Sequence, residues 1–375
     1  MKLQSLRHRI IHKDPFAYSA HPHCAILPNG EIVVVFNKSQ RRQFILHPPQ
    51  DPLFYNVLIR SNDGGNTWTW PQTVPGYDWH GVECAGLTVI SNGSLLLNQW
   101  RFKWYPIDTA DSIRDLEPIT YPDEWGNKLV GSSHVSGHLL SQDQAVITPW
   151  ARANDGTFVH SSLDGGRTWA STVRLNTSPY SGGYGIRGGI QLQNGTVVLP
   201  LSDVPNYKII FLVFSNDNGQ TWSNPVQAAR TEGKDFEEPS LLKLNSNVLL
   251  MLMRENTTHY LYMCRSGDDG ATWTRPAQTP ILGCPPQLIQ LSGRNLFCTF
   301  GYRYPPYSIR GVFSLDDGNT WMVENQVTIR GDLPNHDLGY PVTLIMRDGT
   351  FLTIYYGQDS DGITCIWATS FALST

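Results

Sequence analysis

Apolar and polar residues alternate along this chain in short runs that double back on themselves. HCAILPNGEIVVVF (23–36), GIQLQNGTVVLPL (189–201) and VTLIMRDGTFLTIYY (342–356) each read as strand, tight turn at Asn-Gly or Asp-Gly, and strand. A third strand follows, as in NVLIRSNDGG and IIFLVFSNDNG, and runs into a polar octet. That octet occurs as SNDGGNTW (61–68), SLDGGRTW (162–169), SNDNGQTW (215–222), SGDDGATW (266–273) and SLDDGNTW (314–321), and every copy fits S-x-D-x-G-x-T-W. Its Asp and Ser/Thr side chains suit turn backbone, its Gly suits unusual dihedrals and its Trp suits packing between repeats, so the octet is expected to be scaffold. Three or four antiparallel strands recurring about every 50 residues have the period of a propeller blade.

Aligning the turns places His21, Cys84, Val135, Ile186, Glu238, Cys284 and Tyr340 at equivalent positions. The octets skip from 61 to 162, and GHLLSQDQAVITPW (137–150) supplies a strand, turn and strand inside that gap. The count predicts an all-β chain, residues 1–375 forming a single seven-bladed β-propeller with four antiparallel strands per blade and the octet missing from blades two and seven. The last unit shows three strands of its own, so LRHRIIH (6–12) is expected to close the ring and cover the open edge. An irregular acidic insertion is expected at about 101–130.

Composition narrows the function. A formal charge of −4 offers no global basic field for nucleic acid or an anionic membrane, so an anion would have to be gripped locally. No run of about 18 apolar residues suggests a membrane span. The start, MKLQSLRHRIIHKDPF, lacks the apolar core of a secretory signal. The expected compartment is therefore cytoplasmic, or secreted or periplasmic where a leader has been removed. Six cysteines without C-x-x-C spacing read as buried thiols, and no His/Asp cluster has metal-ligand spacing.

Chemistry gathers at one end of the repeat. The leading ends of the first strands supply His21, Glu83, His134, Arg187, Glu238 and Tyr340, and the returning ends of the second strands supply Trp100, Arg152, Arg254 and Arg303. A hairpin as long as EPSLLKLNSNVLLMLMR (238–254) brings Glu238 and Arg254 to the same level. Such a pair can be a structural ion bridge or a working one. Several guanidinium groups round one opening would clamp a carboxylate or sulfate.

The S-x-D-x-G-x-T-W octet is the Asp box, and with the blade count the chain resembles the sialidase-like superfamily of β-propellers. Residues 238–254 are similar to the sialidase stretch headed by a glutamate and closed by an arginine. YPVTLIMRDG (340–349) is similar to the segment whose tyrosine is the nucleophile. The likeness implies an exo-acting glycoside hydrolase with Tyr340 attacking, Glu238 taking its proton, and Asp51 or a histidine (His21, His134) as acid; Arg254, Arg303, Arg152, Arg187, Glu83 and Trp100 would line the substrate site. Its substrate would be an oligosaccharide or glycoconjugate ending in an acidic sugar, with no cofactor. The first blade departs from the superfamily's R-I-P arginine motif, showing Ala20-His21-Pro22 instead, so a standard sialidase is not expected. Seven-bladed relatives that cleave uronate-bearing polysaccharides imply the alternative, a lyase using histidine and tyrosine, and a non-catalytic carbohydrate-binding propeller is the third reading.

Overall fold

The computed structural model describes residues 2–41, 51–75, 81–121 and 150–374. Among these the strands form six antiparallel sheets arranged consecutively in a ring, each contributing its first strand to the axis. The innermost strands are Ala17–Ile26, Gly86–Val89, Gly182–Tyr184 continued by Ile190–Gln191, Phe236–Lys243, Cys284–Gln290 and Gly339–Ile345. The seven-blade expectation is overturned: the chain is a six-bladed β-propeller.

The miscount sits in blade two. There Leu95–Pro106 pairs directly with Trp150–Ser162, from Leu95↔Ser162 to Pro106↔Trp150, with one register shift between Arg101 and Phe102. The octet at 162 therefore follows the third strand of the same blade, and the long gap is one sheet with residues 107–149 inserted between neighbouring strands. The insertion is nearly one blade period long, which let periodicity divide the gap evenly. GHLLSQDQAVITPW lies almost wholly outside the described residues, and residues 101–106, expected to be irregular, continue the second strand. The octet is absent only from the sixth blade.

Strand Lys2–His12 pairs antiparallel with Thr364–Ser374 as the outer strand of blade six, so one sheet holds both ends of the described chain. Apolar layers fill the wedges between blades. Phe297 and Phe313 stack at 4.5 Å and Phe351 and Phe371 at 5.4 Å within one such cluster.

Each octet links a blade's third and fourth strands. Asp63 accepts hydrogen bonds from Ser61 Oγ (2.8 Å), Asn66 N (3.0 Å), Thr67 N (2.9 Å) and Thr67 Oγ1 (2.6 Å). The octet glycine is where the preceding blade leans in: a Cβ at Gly219 would come within 3.0 Å of Leu96, and one at Gly318 within 3.0 Å of Leu250. Both also have positive φ, +89° and +79°, which glycine adopts without steric cost. Asp63→Ala removes the turn's shared acceptor while touching nothing at the mouth. Its expected result is a loss of about 1–2 kcal/mol of stability, read from denaturant midpoints, with turnover per folded molecule unchanged.

Candidate active site

The innermost strands of blades one, four, five and six are each broken by a bulge at the same level, between Ala20 and His23, Glu237 and Ser240, Cys284 and Gln287, and Gly339 and Val342. In three of these the bulged residue is left-handed: His21 at φ 55°, Glu238 at 54° and Tyr340 at 52°. Such dihedrals cost a non-glycine residue of order 1–3 kcal/mol and persist only where surroundings enforce them. Here the Glu238 amide donates to Ser202 Oγ of blade three at 3.0 Å. These three bulges bring His21, Tyr340 and Glu238 together, with Tyr340 edge-on to His21 and bonded to Glu238.

Glu238 is the hub. The Tyr340 hydroxyl donates a short hydrogen bond to its Oε1 and the Tyr184 hydroxyl approaches the same atom at 3.4 Å, while Arg254 Nη1 donates to Oε2 at 3.1 Å. Arg254 Nε reaches Glu237 Oε1 at 3.1 Å, and Asn256 Nδ2 donates to that oxygen at 2.6 Å. One guanidinium thus bridges two consecutive buried carboxylates. Burial pushes the Glu237 carboxyl above its ordinary range, with Arg254 pulling the other way. Burial and then the Glu238 carboxylate hold the Tyr340 phenol well above its usual value, opposed by Arg254 and Arg303. The phenol therefore keeps its proton at rest.

Around Tyr340 stand His21, edge-on at 4.6 Å between ring centres, and Tyr356 at 6.0 Å. The guanidinium carbons of Arg303 and Arg187 lie 5.8 and 5.9 Å from the Tyr340 ring centre. Arg303 donates to Leu338 O at 3.0 Å and meets the Tyr356 hydroxyl at 3.4 Å. Arg187 crosses from blade three to blade five, donating to Pro286 O (2.9 Å) and Pro285 O (3.3 Å), and is buried in the floor under the mouth. Asp337 accepts from Tyr18 (3.0 Å) and Tyr356 (3.2 Å), and burial raises its carboxyl above the ordinary value.

The other expected residues divide. Glu83 is buried at the head of blade two's innermost strand, its carboxyl pushed by burial to about 7. Arg152 lies on the third strand of blade two rather than at a second-strand end, pairing with Trp104, with its guanidinium 5.1 Å from the Phe102 ring centre. It reaches the site electrostatically, lowering the Glu83 carboxyl. Trp100 is buried in blade two, donating from Nε1 to Asn154 Oδ1 at 2.8 Å and packing on Phe102. Asp51 is buried before blade one's third strand, accepting from Leu53 N at 3.0 Å and Ser39 Oγ at 3.4 Å. His134 lies outside the described residues.

Sequence reading passed over Tyr18, Tyr184 and Asp337. A usable signal was the proline directly after the aligned residue in His21-Pro22, Glu238-Pro239, Cys284-Pro285 and Tyr340-Pro341. Pro lacks the N–H that a regular ladder needs, so its recurrence at one strand level marks a bulge.

Comparison with known proteins agrees with this architecture. The BNR repeat-like domain profile matches residues 117–351, more than half of the chain. A sialidase of Bacteroides fragilis is 24% identical over 296 residues, covering 72% of this chain and 49% of that protein. The chain spans about half the length of the curated relatives it matches. Among solved structures, a protein of unknown function from Dyadobacter fermentans superposes with a TM-score of 0.77 at 21% identity, covering 98% of this chain and 99% of that one. An α-L-arabinofuranosidase of Fusarium graminearum superposes with a TM-score of 0.60 at 14% identity, covering 99% and 98%. Octets, six-bladed ring and profile agree: the chain belongs to the BNR repeat-like family, within the sialidase-like superfamily of β-propellers.

Proposed function

We propose that this protein is a glycoside hydrolase that removes a terminal acidic sugar, with Tyr340 as nucleophile and Glu238 as the base that accepts its proton. The observation that carries this reading is the Tyr340 hydroxyl bonded to the Glu238 carboxylate, which Arg254 braces from the far side. A tyrosine–glutamate pair suits an anomeric carbon that bears an anionic group, because a neutral phenol approaches it without the repulsion a carboxylate would meet. Arg303 and Arg254 supply positive charge beside that phenol. His21 stands where the superfamily's first-blade arginine is expected, so the clamp is weaker on that side and the substrate is not assumed to be the usual one.

Elimination has less support. It calls for a histidine or tyrosine free to take a carbon-bound proton, whereas the Tyr340 hydroxyl is committed to Glu238. The test is a panel of aryl glycosides and oligosaccharides ending in acidic or neutral sugars, with products weighed by mass spectrometry. Release of a saturated acidic sugar carrying one added water is the expected result. A product lighter by that water, absorbing in the ultraviolet as an unsaturated uronate does, would overturn the reading.

A further inference from the structure

The tyrosine–glutamate pair accounts for attack at the anomeric carbon but leaves the departing oxygen without a proton donor. Asp51, the carboxylate expected to supply it, is engaged by Leu53 N in its own loop and by Ser39 Oγ on strand Ile32–Gln40 of blade one. Glu83 is placed differently. Its amide donates to Trp100 O at 2.9 Å, and Val82 bridges to Arg101, so the backbone is fixed on both sides of the residue. Its Oε1 receives the Cys84 N–H and the Cys84 thiol, both at 3.2 Å. Among the described residues no cation lies within ion-pair distance of it and its Oε2 takes no hydrogen bond. Glu238, by contrast, is held by a guanidinium and two phenols.

The two glutamates belong to one connected site. The Tyr184 hydroxyl that approaches Glu238 also stands beside the Cys84 thiol, which donates to Glu83. Glu83 interacts electrostatically with Glu238 of blade four, Tyr184 and Tyr207 of blade three and Arg152 on the third strand of its own blade, its carboxylate accepts from Cys84, and blade one offers Asn56, whose Nδ2 donates to the Glu83 backbone oxygen at 3.5 Å. In the ring, blades two and six flank blade one, so Glu83 and Tyr340 enter the mouth from either side of His21. Two groups that approach one sugar from different sides are what a double displacement requires.

We propose that Glu83 is the general acid and base of the hydrolase, an assignment that rests on the reading given above. Tyr340 Oη bonds to the anomeric carbon as its proton passes to Glu238. The bond to the aglycone breaks, its electron pair staying on the aglycone oxygen, which takes the proton of Glu83. Water then gives a proton to the Glu83 carboxylate while its oxygen bonds to the anomeric carbon. The electrons of the carbon–tyrosine bond return to Tyr340 Oη, which recovers its proton from Glu238. Proton and electron counts close over the cycle. A carboxyl that burial holds near neutrality suits both halves of this task.

The decisive comparison is wild type, Glu83→Gln and Asp51→Asn on aryl glycosides of graded leaving-group acidity. Glu83→Gln is expected to lose at least about a hundredfold in turnover of poorly activated substrates, and far less on strongly activated ones, which leave without a proton. Azide should restore its turnover and yield the glycosyl azide, and the alkaline limb near pH 7 should vanish from its rate profile. An infrared band of a protonated carboxyl, titrating near neutrality in wild type and missing from Glu83→Gln, would support the assignment without any turnover. If wild type cleaves the panel while Glu83→Gln matches it, or if Asp51→Asn shows the azide rescue instead, Glu83 is not the acid and the hydrolase reading stands. A wild type that cleaves nothing overturns both.

Discussion

Replacing Tyr340 by Phe is expected to reduce kcat by at least about a thousandfold, some 4 kcal/mol of barrier, while the ring of blades stays intact. The substitution removes one oxygen. The phenyl ring keeps its edge-on contact with His21 at 4.6 Å and its packing against Tyr356, and Glu238 keeps Arg254 at 3.1 Å. Because the carboxylate retains a charged donor, the loss of a single hydroxyl should move the unfolding midpoint little. The measurement is kcat beside a thermal or denaturant melt of the same sample. Near-wild-type turnover in this variant would remove Tyr340 from the chemistry. A melt that collapses together with turnover would make it a packing residue.

Arg254→Met should behave in the opposite way and lose the fold before it loses anything else. Arg254 is buried, and its guanidinium is the one cation shown bridging Glu237 and Glu238, two neighbouring carboxylates that are buried themselves. Taking one partner from such an arrangement leaves charge in a poorly solvated place, a loss of about 3–5 kcal/mol. Chemical denaturation at neutral pH would show the fall in midpoint. The sharper check adds Glu237→Gln and Glu238→Gln to the same chain: with the stranded charges neutralised, much of the stability should return while turnover stays absent. A single Arg254→Met variant as stable as wild type would mean that the two glutamates are not held as ions by this arginine.

Much of this site could be read before any coordinates, and the reason is repetition. Equivalent strand ends in a closed ring face one axis, so aligning turns was enough to bring Glu238, Arg254, Tyr340, His21 and Arg303 together. What failed was the count. Residues 107–149 interrupt blade two between neighbouring strands, and GHLLSQDQAVITPW (137–150) reads as a strand, turn and strand of its own, which gave the gap the look of a further blade. The pairing of Leu95–Pro106 with Trp150–Ser162 settles it, and that pairing joins positions too far apart in sequence for periodicity to detect. The roles of Arg187 and Trp100 were hidden for another reason. Strand position shows which end of a blade a residue occupies, but not whether a long side chain reaches the opening, crosses below it to Pro285 and Pro286, or folds back on its own sheet.

Tyr340 lies on the blade whose outer strand comes from the beginning of the chain. Blade six is complete only when Lys2–His12 lies against Thr364–Ser374, so the sheet that carries Tyr340 is tied to the opposite end of the described residues. Loss of the pairing with Lys2–His12 would leave Thr364–Ser374 as an unpaired edge on the very blade that holds Tyr340, opening the ring where its two ends meet.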